Sequence, residues 1–155
     1  MNNNMKFYRK LPIPMEIKEL YPVSPELAKM REEQIAEMGR ILRGESDKFL
    51  LIIGPCSADA EAPVLEYASR LRRVQEKVAD KLMLVPRVYT GKPRTTGEGY
   101  KGMLHQPVSN EHADLLRGLL TIRDLFIKTL SETGFAPADE MLYPENYRYL
   151  SDLLS

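Results

Sequence analysis

Phe49-Leu50-Leu51-Ile52-Ile53 runs unbroken and apolar into Gly54-Pro55-Cys56-Ser57. A short apolar run without alternation predicts a strand buried on both faces, the habit of parallel sheets. Upstream, Ser24-Pro25-Glu26 predicts a helix start: Ser as N-cap, Pro at the first helical position, an acid in the first turn. Leu27, Met30, Met38, Ile41 and Leu42 then recur at helical spacing as far as Gly44, a C-terminal stop. Downstream, Val64, Ala68, Leu71 and Val78 share one stripe of a second helix, from about Ala60 to Ala79. Leu82-Met83-Leu84-Val85 and Val88-Tyr89 predict a second buried strand. Pro86 inside it removes one ladder donor, so that strand is expected to be irregular or to end early.

Further out, residues 90–110 are rich in Gly, Pro and Thr and predict one long functional loop. Asn110 is expected to cap a third helix carrying Leu115, Leu119, Ile122, Phe126 and Leu130, closed by Gly134. Ala136 to Leu142 reads as a weaker third strand, and Pro144 opens a last helix with Tyr147, Leu150 and Leu154. Strands alternating with helices predict an α/β fold with parallel strands. Residues 1–23, with Pro12, Pro14 and Pro22, predict an extended N-terminal arm, and 24–155 the domain proper. Three strands make a poor two-faced parallel sheet, so the pattern fits either a small complete fold or the first portion of a larger one.

Composition narrows the function classes. Lys+Arg and Asp+Glu each total 22, so the formal charge is zero and nucleic-acid binding by bulk positive charge is excluded. Any anion site must therefore be a local cluster. Cys56 is the only cysteine, which excludes an internal disulfide and a multi-cysteine zinc site. The apolar runs fall far short of the ~20 residues that span a bilayer. The opening MNNNMKFYRKLPIP has no apolar h-region. A cytoplasmic setting without membrane or nucleic-acid partners is expected.

Two places are candidates for chemistry. Gly54-Pro55-Cys56-Ser57 stands at the carboxyl end of a strand, where α/β folds bind ligands. By position Cys56 reads as a metal ligand, a nucleophile or a small apolar filler; no adjacent His supports the nucleophile. The second strand runs out through Arg87, Lys92, Arg94, Thr95 and Thr96, with Lys101 beyond. Guanidinium groups bind phosphate and carboxylate bidentately and Lys adds a point charge, so this cluster suits small dianions; otherwise it is a solvated basic loop. Of Asp139 and Glu140, near the third strand, alternation sends one towards the same mouth and the other sideways. His105 and His112 do not have the spacing or the company of a metal pair.

The three segments LLIIGPCSADAEAPVLEYASRL, LVPRVYTGKPRTTGEGYKGML and ADEMLYPENYRYLSDLL closely resemble the class I 3-deoxy-D-arabino-heptulosonate 7-phosphate (DAHP) synthases. The order GPCS, RVY, KPRTT is highly specific. The resemblance implies a (β/α)8 barrel, of which this chain supplies an N-terminal helix and about three β/α units. It implies condensation of phosphoenolpyruvate with erythrose 4-phosphate, the first step of the shikimate pathway. Cys56 resembles the family's cysteine ligand to a divalent metal (Mn, Fe, Co or similar). Arg87 and Lys92 resemble its phosphoenolpyruvate contacts, with Lys92 reaching towards both substrates. Arg94 and Thr95 resemble the erythrose 4-phosphate grip, and Glu140 an acid close to phosphoenolpyruvate and its water. Ser57-Ala58-Asp59 stands where Ser-Ile-His-Asp is common, and Pro86 replaces a common methionine. Tyr143 replaces a usual aspartate in the region linked to feedback inhibition by an aromatic amino acid.

Such barrels typically need ~250 residues, and the family's remaining metal ligands, a His, a Glu and an Asp, come from later strands. The expectation is therefore an N-terminal portion of a DAHP synthase, inactive alone. It would act as a homo-oligomer or with a complementing C-terminal half. The alternative is a non-enzymatic interaction module that associates with a full-length synthase.

Overall fold

The computed structural model describes residues 10–94, 96–108 and 112–155. Two strands, β1 (Phe49–Ile53) and β2 (Leu82–Pro86), pair in parallel, with Phe49 opposite Leu82 and Ile53 opposite Pro86. Parallel pairing requires a crossover, supplied by helix α3 (Glu61–Val78). Before the sheet come α1 (Pro14–Leu20) and α2 (Pro25–Leu42); after it come α4 (Leu115–Thr133), a 3-10 turn at Pro144–Asn146 and α5 (Tyr147–Leu150). The architecture is α/β, as expected. Among the described residues no helix is long and apolar enough to cross a membrane.

Local chemistry explains most boundaries. The Ser24 hydroxyl accepts the Leu27 N–H at 3.3 Å, and Pro25 takes the first turn of α2, where no amide donor is needed. Helix α4 begins later than expected: Asp114 accepts the Arg117 N–H at 3.0 Å and is the cap. Asn110, read as that cap, lies outside the described residues. Gly134 ends α4 at φ 70°, a left-handed stop that glycine adopts without steric cost. The arm is not extended throughout, because residues 14–20 form α1. Pro14 sits at the first helical position and the Glu16 carboxylate accepts the Ile13 N–H at 2.9 Å. A proline that breaks a helix from within is compatible with starting one.

The third strand is the main correction. Residues 136–142 make only one parallel bridge, Arg87 to Ala138, and the edge of β2 shows why. The side-chain amide of Gln75 donates to the Leu82 carbonyl at 2.9 Å and accepts the Leu84 N–H at 2.6 Å. Gln34 accepts the Ala136 N–H at 3.0 Å and donates to the Gly134 carbonyl at 2.8 Å. Two side chains thus occupy groups a third strand would have paired, and Pro86 has no N–H to offer. Pairing resumes only beyond it. The Pro86 carbonyl accepts from Ala138 at 2.9 Å, and Val88 donates to the Ala138 carbonyl at 2.7 Å.

The larger core lies around α4. Leu119, Ile122, Leu125, Phe126 and Leu130 are fully buried against Val64 of α3, Leu150, Leu153 and Leu154. Burying each such side chain stabilises the fold by about 2 kcal/mol. Met103 and Leu104 enter the same core, so residues 90–108 are anchored at their far end. Arg123 of α4 is 0% exposed. It donates to the Tyr21 carbonyl (2.8 Å), the Tyr149 carbonyl (2.9 Å) and both Asp152 oxygens (2.8 Å each). Through this one guanidinium, α4 ties the segment after α1 to the chain's last turn.

Because Arg123 has no water to fall back on, Asp152→Ala is expected to destabilise the chain by about 3 kcal/mol, the cost of an unpaired buried charge. Lys18→Ala removes the other ion pair of the same carboxylate, at 3.5 Å and partly exposed, and should cost less than about 1 kcal/mol. Urea denaturation of the two variants checks the ordering.

Candidate functional site

The parallel ladder ends in a backbone contact that only glycine permits. A Cβ on Gly54 would overlap the Arg87 carbonyl. The strand ends therefore converge, and Arg87 donates its backbone N–H to Ile53 at 2.9 Å. Its side chain doubles back: Nη1 donates to the Pro55 carbonyl at 2.7 Å and Nε to Glu140 Oε1 at 2.8 Å. The guanidinium lies over the Tyr89 ring, 4.8 Å from its centroid. Three side-chain contacts, to Pro55, Glu140 and Tyr89, fix this cation at the mouth of the sheet.

Lys92 reaches the same mouth from the loop. Its Nζ lies 3.0 Å from Cys56 Sγ. Cys56 is exposed, which removes the apolar-filler reading. The hydrogen bond from Lys92 and its charge, followed by the charges of Arg87 and Arg94, hold the thiol below its ordinary range. All three cations therefore act on one sulfur atom. Arg94 is exposed, and its Nε is oriented by the Tyr100 carbonyl at 2.8 Å. Of the residues singled out by sequence, Cys56, Arg87, Lys92 and Glu140 come together directly, and Arg94 stands within reach of their field. Thr95 lies outside the described residues.

The loop is a folded strap. Its ends are joined by hydrogen bonds from Leu104 N–H to the Thr90 carbonyl (3.0 Å) and from Lys92 N–H to the Lys101 carbonyl (3.0 Å). Gly102 is at φ 90°, and a Cβ there would overlap the Thr90 carbonyl. Asp139 fastens the near end. Its carboxylate accepts the Thr90 backbone N–H at 3.1 Å and, through the other oxygen, the Thr90 hydroxyl. Asp139 and Glu140 thus point to different partners, as alternation along an extended segment requires. Burial pushes the Asp139 carboxyl from its ordinary 3.8 up to about 6, against the opposing hydrogen bonds from Thr90. Tyr89 and Gly54 carry no signal in sequence beyond their places at strand ends; their roles appear only once the strands are side by side.

A cation-binding centre needs several donors, and the soft Cys56 sulfur is one. Among the described residues no three His, Cys, Asp or Glu side chains gather to hold a metal ion. Cys56 itself faces an ammonium group. These residues do not by themselves fit a divalent metal. The local field is positive and favours anions.

Comparison with known proteins gives one family. The profile described as the DAHP synthetase I family matches residues 21–155. The phospho-2-dehydro-3-deoxyheptonate aldolase of Haemophilus influenzae is 36% identical over 142 residues, covering 92% of this chain and 39% of that protein. The Phe-sensitive enzyme of that name from Escherichia coli is 33% identical, over 97% of this chain and 43% of its own length. A solved structure of the enzyme from Francisella tularensis superposes with a TM-score of 0.89 at 26% identity, over 97% of this chain and 44% of that one. The chain thus spans about two fifths of the length of the relatives it matches.

The raised carboxyl of Asp139 has a direct consequence for stability. A carboxyl that is harder to ionise when folded binds protons more tightly folded than unfolded, so its contribution is whole below pH about 4 and is lost as pH rises through about 6. Asp139→Asn should lack this segment of the pH–stability curve while the rest of the curve is kept. Unfolding midpoints of both proteins, measured from about pH 3.5 to about pH 7, check it. Parallel curves would refute the raised value.

Proposed function

The chain belongs to the DAHP synthetase I family, and from that premise we propose that it is the N-terminal portion of a DAHP synthase. In this reading β1, β2 and the Ala138 bridge are the opening of a (β/α)8 barrel. The complete enzyme joins phosphoenolpyruvate to erythrose 4-phosphate in the cytoplasm. The observation that carries the proposal is the convergence of Arg87, Lys92 and Cys56 at one strand end, beside Glu140.

The chemistry asks for such a place. The methylene carbon of phosphoenolpyruvate attacks the aldehyde carbon of erythrose 4-phosphate, forming the new C–C bond. Water adds at the neighbouring carbon and phosphate leaves with its bonding electrons. Both substrates are anions and must be held with the reacting carbons in contact. Arg87, fixed by Pro55, Glu140 and Tyr89, suits the carboxylate or phosphate of phosphoenolpyruvate, and Lys92 supplies a second charge able to swing from Cys56 to either substrate. Arg94 and Thr95 are assigned to the erythrose 4-phosphate phosphate. Glu140 orients Arg87 and is assigned a place close to phosphoenolpyruvate and the water that adds. Cys56 would be one thiolate donor towards the family's divalent metal, whose remaining ligands, a His, a Glu and an Asp, the resemblance places on later strands of the barrel. In this reading activity requires those later strands as well as the residues of this chain.

A partner is part of the same reading. Phe49, Ile52 and Ile53 of β1 are 67%, 53% and 39% exposed, although their sequence is that of a doubly buried strand. Such a face favours association, with the complementing portion of the barrel or with a second copy. The latter also serves the alternative, a non-enzymatic interaction module.

Two outcomes are expected. Phosphoenolpyruvate and erythrose 4-phosphate should bind this chain weakly, on the order of millimolar, because a partly supported loop is competent only part of the time. By NMR titration, Arg87→Ala should weaken phosphoenolpyruvate more and Arg94→Ala should weaken erythrose 4-phosphate more. Equal losses for both ligands would reduce the site to a generic basic patch. Separately, Ile52→Lys should lower the sedimentation-average mass of concentrated chain, since a charge on the open face opposes pairing. An unchanged mass would place any association elsewhere.

A further inference from the structure

Asp139 makes contacts that the proposed reaction does not use. It is half-buried, touches neither of the cations Arg87 and Lys92 by a hydrogen bond among those described, and engages Thr90 through both carboxylate oxygens, with the backbone N–H of Glu140 as a further donor. A half-buried carboxylate given over to a threonine is costly unless the threonine matters. Thr90 matters because it is the hinge of the loop. Its carbonyl closes the strap by accepting from Leu104, and two residues on, the Lys92 backbone makes the second rung with Lys101. Gly102 packs against the same Thr90 carbonyl so closely that no side chain fits between. The Lys92 ammonium then spans back to Cys56.

We propose that Asp139 is a positioning residue for Lys92: by holding the N–H and hydroxyl of Thr90 it fixes the hinge from which Lys92 is presented to the anion site. The adjacent residue does the parallel task for the other cation, since Glu140 orients Arg87 directly. One dipeptide, anchored by the Ala138 bridge one residue earlier, thereby sets both charges. Asp139 acts through Thr90 and the backbone, and Glu140 acts by contact. The ligand class, a small phosphorylated carboxylate, rests on the function proposed above; the positioning role rests on the hydrogen bonds alone.

The test separates the two. Amide hydrogen exchange on the full chain needs no ligand. In Asp139→Ala the amides of Thr90, Lys92 and Leu104 should exchange at least about tenfold faster, as expected when a charge-assisted hydrogen bond worth over 1.4 kcal/mol is lost. The Phe49 and Gly134 amides, bonded to Lys81 and Leu130 away from the loop, should be unchanged, which also reports that the variant is folded. Asp139→Asn retains a carbonyl acceptor for the Thr90 N–H and should restore much of the protection. Unchanged exchange at Thr90 and Lys92 in Asp139→Ala overturns the proposal. Phosphoenolpyruvate titration supplies the second arm. Asp139→Ala should weaken binding about tenfold, and the same change made in a Lys92→Ala background should add almost nothing, because the effect runs through Lys92. An equal tenfold loss in both backgrounds overturns the positioning role. If the unaltered chain binds no phosphoenolpyruvate while the amides behave as expected, the positioning role is supported and the assigned substrate fails.

Discussion

Gly54 against the Arg87 carbonyl is the contact on which the site depends. No side chain fits there, so the ends of β1 and β2 meet backbone to backbone instead of being held apart. From that closeness the Pro55 carbonyl comes within reach of the Arg87 guanidinium, and Cys56 within reach of Lys92. Both contacts join residues more than thirty positions apart in sequence, across a crossover helix. The parallel ladder supplies the alignment, and the absence of one methyl group supplies the proximity.

What was legible in the sequence follows from which features are local. The Ser24-Pro25 start, the Gly134 stop, the apolar run of β1 and the stripe of α4 are short-range patterns, and all appear where the residues predict them. The third strand failed for a reason no periodicity carries. Its partners were taken by Gln34 and Gln75, side chains from α2 and α3 that look, in sequence, like ordinary polar positions on helices. The first proline-rich residues misled in the opposite sense, because Pro14 reads alike as a breaker and as a first helical residue until its neighbours are placed.

The site divides in the same way. Its cations are visible as a cluster around one strand end, and the resemblance to a family ordered the candidates. Their fastening is not visible. Tyr89 beneath Arg87, and Thr90 between Asp139 and Leu104, are unremarkable residues made decisive by long-range packing. A functional group can be found from composition, but the group that holds it in place has to be found in space. The same division explains why the loop of residues 90–108, so rich in turn formers, is pinned: Met103 and Leu104 are drawn into the core of α4, and glycine at 102 lets the backbone close behind them.

The glutamine seal on β2 also governs how this chain can misassemble. A sheet with two free edges is a template in both directions, so each added copy exposes a fresh edge and growth has no natural end. Here the Gln75 amide already occupies the Leu82 and Leu84 positions of one border, so that among the described residues the outer edge of β2 is closed at these two positions. Two copies meeting through β1 would each present a sealed border outward. A strand added at that border would meet groups already bonded, so growth of the sheet past Leu82 and Leu84 is opposed there.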